Sequence, residues 1–169
     1  LTSRFTYDGR PVQVVTRVHP TLDMVMVEIA SPLVASDGLG VRIRYPGVSP
    51  AINPDTTTFD DTGAQSLTVV SRTDRETRIR RTLDDTTYFS AIAGNGRVEQ
   101  AGETDFRVAP SGGERLEVMV RFDPGNSNVP TPVFADGAQA TTAHWRAFWT
   151  QGGVVDFSGS TDPRAAELE

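Results

Sequence analysis

Through most of the first 123 residues apolar side chains recur at every second position, the period of a strand with one face buried. The pattern predicts strands over 3–7, 10–19, 22–31, 41–45, 66–74, 77–84, 86–94, 96–102, 104–110 and 115–123. In the last of these Leu116, Val118, Val120 and Phe122 share one face. LDMVMVEIAS (22–31) departs from simple alternation, because Val25, Val27 and Ile29 on one face are matched by Met24 and Met26 on the other. A strand apolar on both faces is expected to be covered on both. Asp8-Gly9 between the first two strands is a strong hairpin signal, since a type I′ turn needs positive φ at both central residues. Asn95-Gly96 and Ser111-Gly112-Gly113 read as hairpin turns on the same grounds. Residues 46–64, with three prolines and many small polar residues, read as a long irregular loop.

The period then changes from two to 3.6. Over 133–150 Phe134, Ala138, Thr142, Trp145 and Trp149 fall along one helical stripe, with Phe148 beside it. Pro132 suits the first turn and Gly152-Gly153 the stop, which predicts a helix over 132–150. The closing TDPRAAELE places Asp162 as an N-cap and Pro163 as the first helical residue. Only about two turns follow, too few to be stable alone, so the chain is expected to continue into further helix. The fold expected is an antiparallel β-sandwich over 1–130, followed by a linker helix and the start of a helical region over 131–169.

Composition narrows the chemistry more than it suggests any. A chain of 169 residues with net charge −6 and no basic stripe offers nucleic acid no landing surface. No apolar run reaches the ~20 residues of a membrane helix. There are no cysteines, and all sixteen basic residues are arginine, so thiol and lysine chemistry are excluded, while the compartment stays open. His19 and His144 are too few for a zinc cluster, and Asp55, Asp60 and Asp61 lack the calcium-loop spacing, so no metal or cofactor is expected. Asp60-Asp61 and Asp84-Asp85 are adjacent acids in turn-like sequence, which is turn chemistry before it is acid–base chemistry. No G-x-S-x-G elbow is present. Arg78 and Arg80, in the run 73–82, share a strand face among acids, the pattern of a solvated, salt-bridged sheet surface. Tyr45, Phe59, Tyr88 and Phe89 are the candidates for stacking on a sugar ring, Phe59 and Tyr88 foremost, though strand aromatics belong more often to the core, and the residues show no self-contained active site.

Two segments carry a family likeness: SRFTYDGRPVQVVTRVHPTLDMVMVEIASPL (3–33) and HWRAFWTQGGVVDFSGSTDPRAAELE (144–169). With W-x-x-F-W, V-D-F-S and D-P-R-A-x-E-L-E, the chain resembles the N-terminal sandwich and linker helix of bacterial glycoside hydrolases of the (α/α)6-barrel type, relatives of the family-65 hydrolases and phosphorylases. The resemblance implies a galactose-mutarotase-like supersandwich that supports a catalytic barrel of the same polypeptide and helps shape its substrate cleft. The catalytic acids would lie in that barrel, so none is carried over onto this sequence. Trp145, Phe148 and Trp149 would then be an interdomain wedge. The other readings are an autonomous carbohydrate-binding module and a structural interaction domain.

Overall fold

The computed structural model describes residues 1–47, 65–125, 129–152 and 155–168. Ten strands follow one another: β1 (Thr2–Tyr7), β2 (Arg10–Val18), β3 (Met24–Ala30), β4 (Val41–Arg44), β5 (Gln65–Arg72), β6 (Glu76–Leu83), β7 (Thr86–Gly94), β8 (Arg97–Gln100), β9 (Asp105–Ala109) and β10 (Arg115–Asp123). Three helices accompany them: α1 (Pro32–Ala35), α2 (Phe134–Thr150) and α3 (Ala165–Leu168). All pairings are antiparallel, and the chain is mainly β with a C-terminal helix, a β-sandwich as the alternation predicts.

One sheet has seven strands in the order β1-β2-β3-β10-β7-β6-β5, and the other has three, β4-β9-β8. Two meanders, β1–β3 and β5–β7, are therefore joined by a strand that comes last. β10 pairs with β3 from Arg115 to Arg121 and with β7 from Val118 to Asp123. The Asp8-Gly9 turn has positive φ at both residues, 48° and 66°, as a type I′ hairpin requires. Asn95-Gly96 and Ser111-Gly112-Gly113 are not hairpin turns. Each carries the chain between the sheets, from β7 to β8 and from β9 to β10. Asn95 makes its crossing by bonding to the neighbouring strand: its Nδ2 donates to Arg115 O (3.1 Å), and its Oδ1 accepts from Glu117 N (2.8 Å). α1 has no counterpart in the apolar pattern. Ser31 caps it, its Oγ accepting from Leu33 N at 3.2 Å, and Val34 enters the core.

The core lies between the sheets. Val12, Ile29, Leu116, Val118, Ile92 and Ile79 of the large sheet meet Phe106 and Val108 of the small one and Tyr45 just beyond β4. A second cluster lies on the opposite face of the large sheet, where Met24, Met26, Ala93 and Met119 take Phe134 of α2. β3 is thus covered on both sides, as its two apolar faces foretold. Asp105 fastens β9 to β4 by pairing with Arg42 Nη2 (2.7 Å) and Arg44 Nε (2.9 Å). The Arg42 hydrogen bond is the main reason that its carboxyl titrates below the usual aspartate range.

Tyr45 shows how the sandwich is closed at one end. Its hydroxyl and Ser90 Oγ stand 2.6 Å apart in the core, and its ring meets Phe106 edge-on at 6.1 Å. Burial first, opposed by the Ser90 hydrogen bond, raises its pKa above 10.0. A phenol whose pKa is higher folded than unfolded binds more protons in the folded state, so its contribution is intact below pH ~10 and fades as pH climbs through the folded value. Tyr45→Phe is expected to lose about 1–2 kcal/mol at neutral pH, because Ser90 Oγ is left buried without its partner. Denaturant titrations should also show the variant with a flatter decline in stability above pH ~10 than the native chain.

Candidate functional site

Two surfaces of the molecule carry more than packing, and both involve α2. Its first half lies on the large sheet. Phe134, Gly137 and Thr141 are buried, with Ala138 half-buried beside Met24 and Met26. Gly137 lets the helix sit close to β3: a Cβ there would stand 2.8 Å from the Met26 thioether, whose flexible end would have to shift. Thr141 Oγ1 lies 3.0 Å from Gly137 O and 3.1 Å from Val18 O, which ties the helix to the end of β2. At about 100° per residue, Trp145, Phe148 and Trp149 continue the same face of the helix. That face of the helix runs on past Thr141, but the sheet beneath it does not.

Beyond Thr141 the rings are in water: Trp145 is 49% exposed, Phe148 41% and Trp149 61%. They hold each other edge-to-face, with centroids 5.4 Å apart for Trp145–Phe148 and 5.6 Å for Phe148–Trp149. His144 joins at 5.5 Å from Trp145. Thr142, placed on the stripe by its spacing, is exposed. Edge-to-face pairs contribute roughly 0.5–1.5 kcal/mol each, so the cluster presents a pre-ordered apolar surface. Contiguous apolar surface of this kind marks an interaction site far more often than isolated exposed rings do.

The second surface is a cleft of about 530 Å³ on the outer face of the large sheet, roofed by residues 130–134. Here the arginines do not form the solvated face expected of them. Arg80 is exposed, but Arg78 is 9% exposed and Arg121 only 1%. The reason lies on β7, where the small Ala91 and Ala93 sit opposite Arg78 and Glu76 on one side and opposite Arg121 and Met119 on the other. Long side chains can lie over that low floor, and the chain after β10 then covers them. Arg121 Nη2 donates to Val129 O at 2.6 Å and pairs with Asp123 Oδ2 at 2.8 Å. Glu76 Oε2 accepts from Thr131 N at 3.1 Å. Arg78 stands between Glu76 and Asp123, 3.9 Å from each carboxylate. Glu76/Arg78 and Arg121/Asp123 are each an i, i+2 pair on one strand face. That spacing was readable, but its burial was not.

Tyr88 lies on the inner face of β7, half-buried against Phe122 with centroids 6.3 Å apart. Arg81 Nη1 donates to its hydroxyl at 2.6 Å, Arg81 Nε donates to Gln65 at 3.0 Å, and Arg81 Nη2 donates to Pro46 O. Phe59, Asp55, Asp60 and Asp61 lie outside the described residues. Tyr88 and the aromatic face of α2 are not brought together. His19 Nδ1 accepts from Thr21 N and Leu22 N (3.2 and 3.1 Å) and so shapes the β2–β3 turn. Among the described residues no group of three acids and histidines is placed to hold a metal ion. No helix there is long and apolar enough to cross a membrane. Compared with known proteins, the chain matches no family model and no curated sequence.

Proposed function

We propose that this chain is a non-catalytic β-sandwich that supports a helical domain of the same polypeptide, as the resemblance to (α/α)6-barrel glycoside hydrolases implies, with Trp145, Phe148 and Trp149 as the interdomain wedge. One observation carries the reading: the face of α2 that begins with Phe134 and Ala138 turns polar at Thr141 and Thr142 and then apolar again at Trp145, Phe148 and Trp149, which are 41–61% exposed. A helix serving its own sheet alone needs apolar residues only where that sheet lies. Covering the exposed half of each ring is worth on the order of 1 kcal/mol per residue, enough together to fix an interdomain angle. In this reading the sandwich does no chemistry. It braces the barrel and contributes one wall of the substrate cleft.

Substitution separates this role from a core role. Trp145→Ala combined with Trp149→Ala is expected to cost the 169-residue chain only about 1–3 kcal/mol, the worth of the two edge-to-face pairs it removes. In the polypeptide extended through the residues that follow Glu169, the same pair should lower the melting temperature and reduce glycoside hydrolysis. Equal, large losses in the short chain would place the rings in its own core. No effect in either chain, or following residues that do not fold as paired helices, would overturn the reading.

A further inference from the structure

We propose that β1, a free edge of the large sheet, pairs antiparallel with β1 of a second copy of the chain, about a two-fold axis at Thr6. Leu1 and Thr16 exchange both of their backbone bonds, each at 2.9 Å. Such pairs alternate along an antiparallel ladder. Leu1, Ser3, Phe5 and Tyr7 therefore direct their backbone groups at β2, while Thr2, Arg4 and Thr6 direct N–H and C=O outward. All six residues of β1 are exposed. An edge of this kind is a template for another strand unless it is guarded by a bulge, by shortness or by charge. At the far edge of the same sheet β5 carries a bulge between Val69 and Ser71, and the small sheet is edged by β4 and β8, of four residues each. β1 keeps an unbroken register with β2 over its six residues. The small sheet also leaves its inner face uncovered: Phe5, opposite the core residue Val12, is 50% exposed and Tyr7 57%.

Charge decides the occupant, because β1 and its turn are complementary to themselves. With the axis at Thr6, Arg4 of each copy comes level with Asp8 of the other, and Phe5 of each lies opposite Tyr7 of the other. One contact thus supplies two opposite-charge pairs and two aromatic pairs, both favourable across strands. The neighbouring registers supply less. An axis at Arg4 sets the two guanidinium groups against each other, and an axis at Phe5 leaves Arg4 and Asp8 each opposite a threonine. Arg4 is the one charge guarding the edge, and in the Thr6 register it is neutralised. Within its own copy its Nε donates to Gln13 Oε1 at 3.0 Å, and no ion pair engages it among the described residues. Six residues a side make a small contact, so the dimer belongs to the weak, concentration-dependent class. The inference goes beyond the role given to α2 and does not rest on it.

The test is sedimentation equilibrium of the native chain, with amide exchange followed by nuclear magnetic resonance over the same concentrations. The mass should rise from one chain toward two in the sub-millimolar range, and the Arg4 and Thr6 amides should slow as it does. Thr6→Pro removes an outward N–H and spares every β1–β2 bond, and Arg4→Glu sets like charges level; each should weaken association about tenfold or more. The native chain has no cysteine, so Thr6→Cys reads the register. Residues of a hydrogen-bonded pair stand about 5.5 Å apart, and mild oxidation should link two copies through that position. Arg4→Cys should not link them. Arg4→Glu and the two cysteine variants suffice if the proline variant does not fold. A single chain at every concentration, slow Arg4 and Thr6 amides in a single chain, or a link through Arg4→Cys in place of Thr6→Cys would overturn the proposal. So would a dimer that Trp149→Ala abolishes and Thr6→Pro leaves intact, which would belong to the α2 aromatics. None of these results depends on whether a helical domain covers α2.

Discussion

Replacing Arg121 with alanine is expected to lower the stability of the chain by roughly 3–5 kcal/mol, the range for breaking a buried ion pair from one side. Arg121 is among the largest fully buried side chains. Its loss empties space against the β10–α2 connection and takes the donor from Val129 O (2.6 Å). It also leaves Asp123, paired at 2.8 Å, facing only the more distant Arg78. At this size each kcal/mol moves the melting temperature by about 2–4 °C, so a fall of about 10 °C should be seen. Arg121→Met keeps most of the volume but leaves Asp123 and Val129 O without their partner as alanine does, so it should recover only the space-filling part of the loss, less than half. Urea unfolding checks this: the midpoints should order native, methionine, alanine, with an unchanged slope. A methionine variant nearer to the native chain than to the alanine one would show that space filling, rather than the ionic contact, holds the connection.

Gly94→Ala is the second large effect. Gly94 ends β7 at a φ of +150°, a conformation that side chains on L residues rarely adopt, and a Cβ there would stand 2.0 Å from Glu117 O. The obstacle is the backbone of β10, the strand that joins the two meanders, so it cannot swing aside as a side chain would. Backbone strain and overpacking each cost roughly 1–3 kcal/mol, which together approach the whole stability of an ordinary domain. The variant is expected to be largely unfolded at 37 °C by circular dichroism. Gly112→Ala is the control, because Gly112 has φ +122° but open space around it, and should show the strain without the clash.

These two positions also show where sequence and structure part. The alternation in RLEVMVRFD places Leu116, Val118 and Val120 on one face and Met119 and Arg121 on the other, and the structure keeps that division. Alternation has no means of saying that the other face is buried as well. That depends on the small Ala91 and Ala93 one strand away, and on residues 129–133 returning across them. Turn residues mislead for a similar reason. Asn95-Gly96 and Gly112-Gly113 record that the backbone bends, and a bend leading into a partner strand looks the same as one leading to the other sheet. Asp8-Gly9 was legible because strand-like runs flank it directly on both sides. On α2 the stripe itself was legible from the 3.6-residue spacing. The point at which the sheet gives out beneath it, just after Thr141, is a property of β2 and β3 and of no local pattern. Of the two foremost candidates for sugar stacking, Tyr88 sits in the Arg81–Phe122 contact set, and Phe59 lies outside the described residues.

The central claim is that the second half of α2 is a face made to be covered by a helical domain of the same polypeptide. Trp145 and Trp149 are the only tryptophans, so intrinsic fluorescence reports on that face alone. In the 169-residue chain the emission should be red-shifted and readily quenched by acrylamide, as rings half or more exposed require. In the polypeptide extended beyond Glu169 the emission should move to the blue and the quenching should fall several-fold. Tryptophans equally red-shifted and equally quenched in both would contradict the claim.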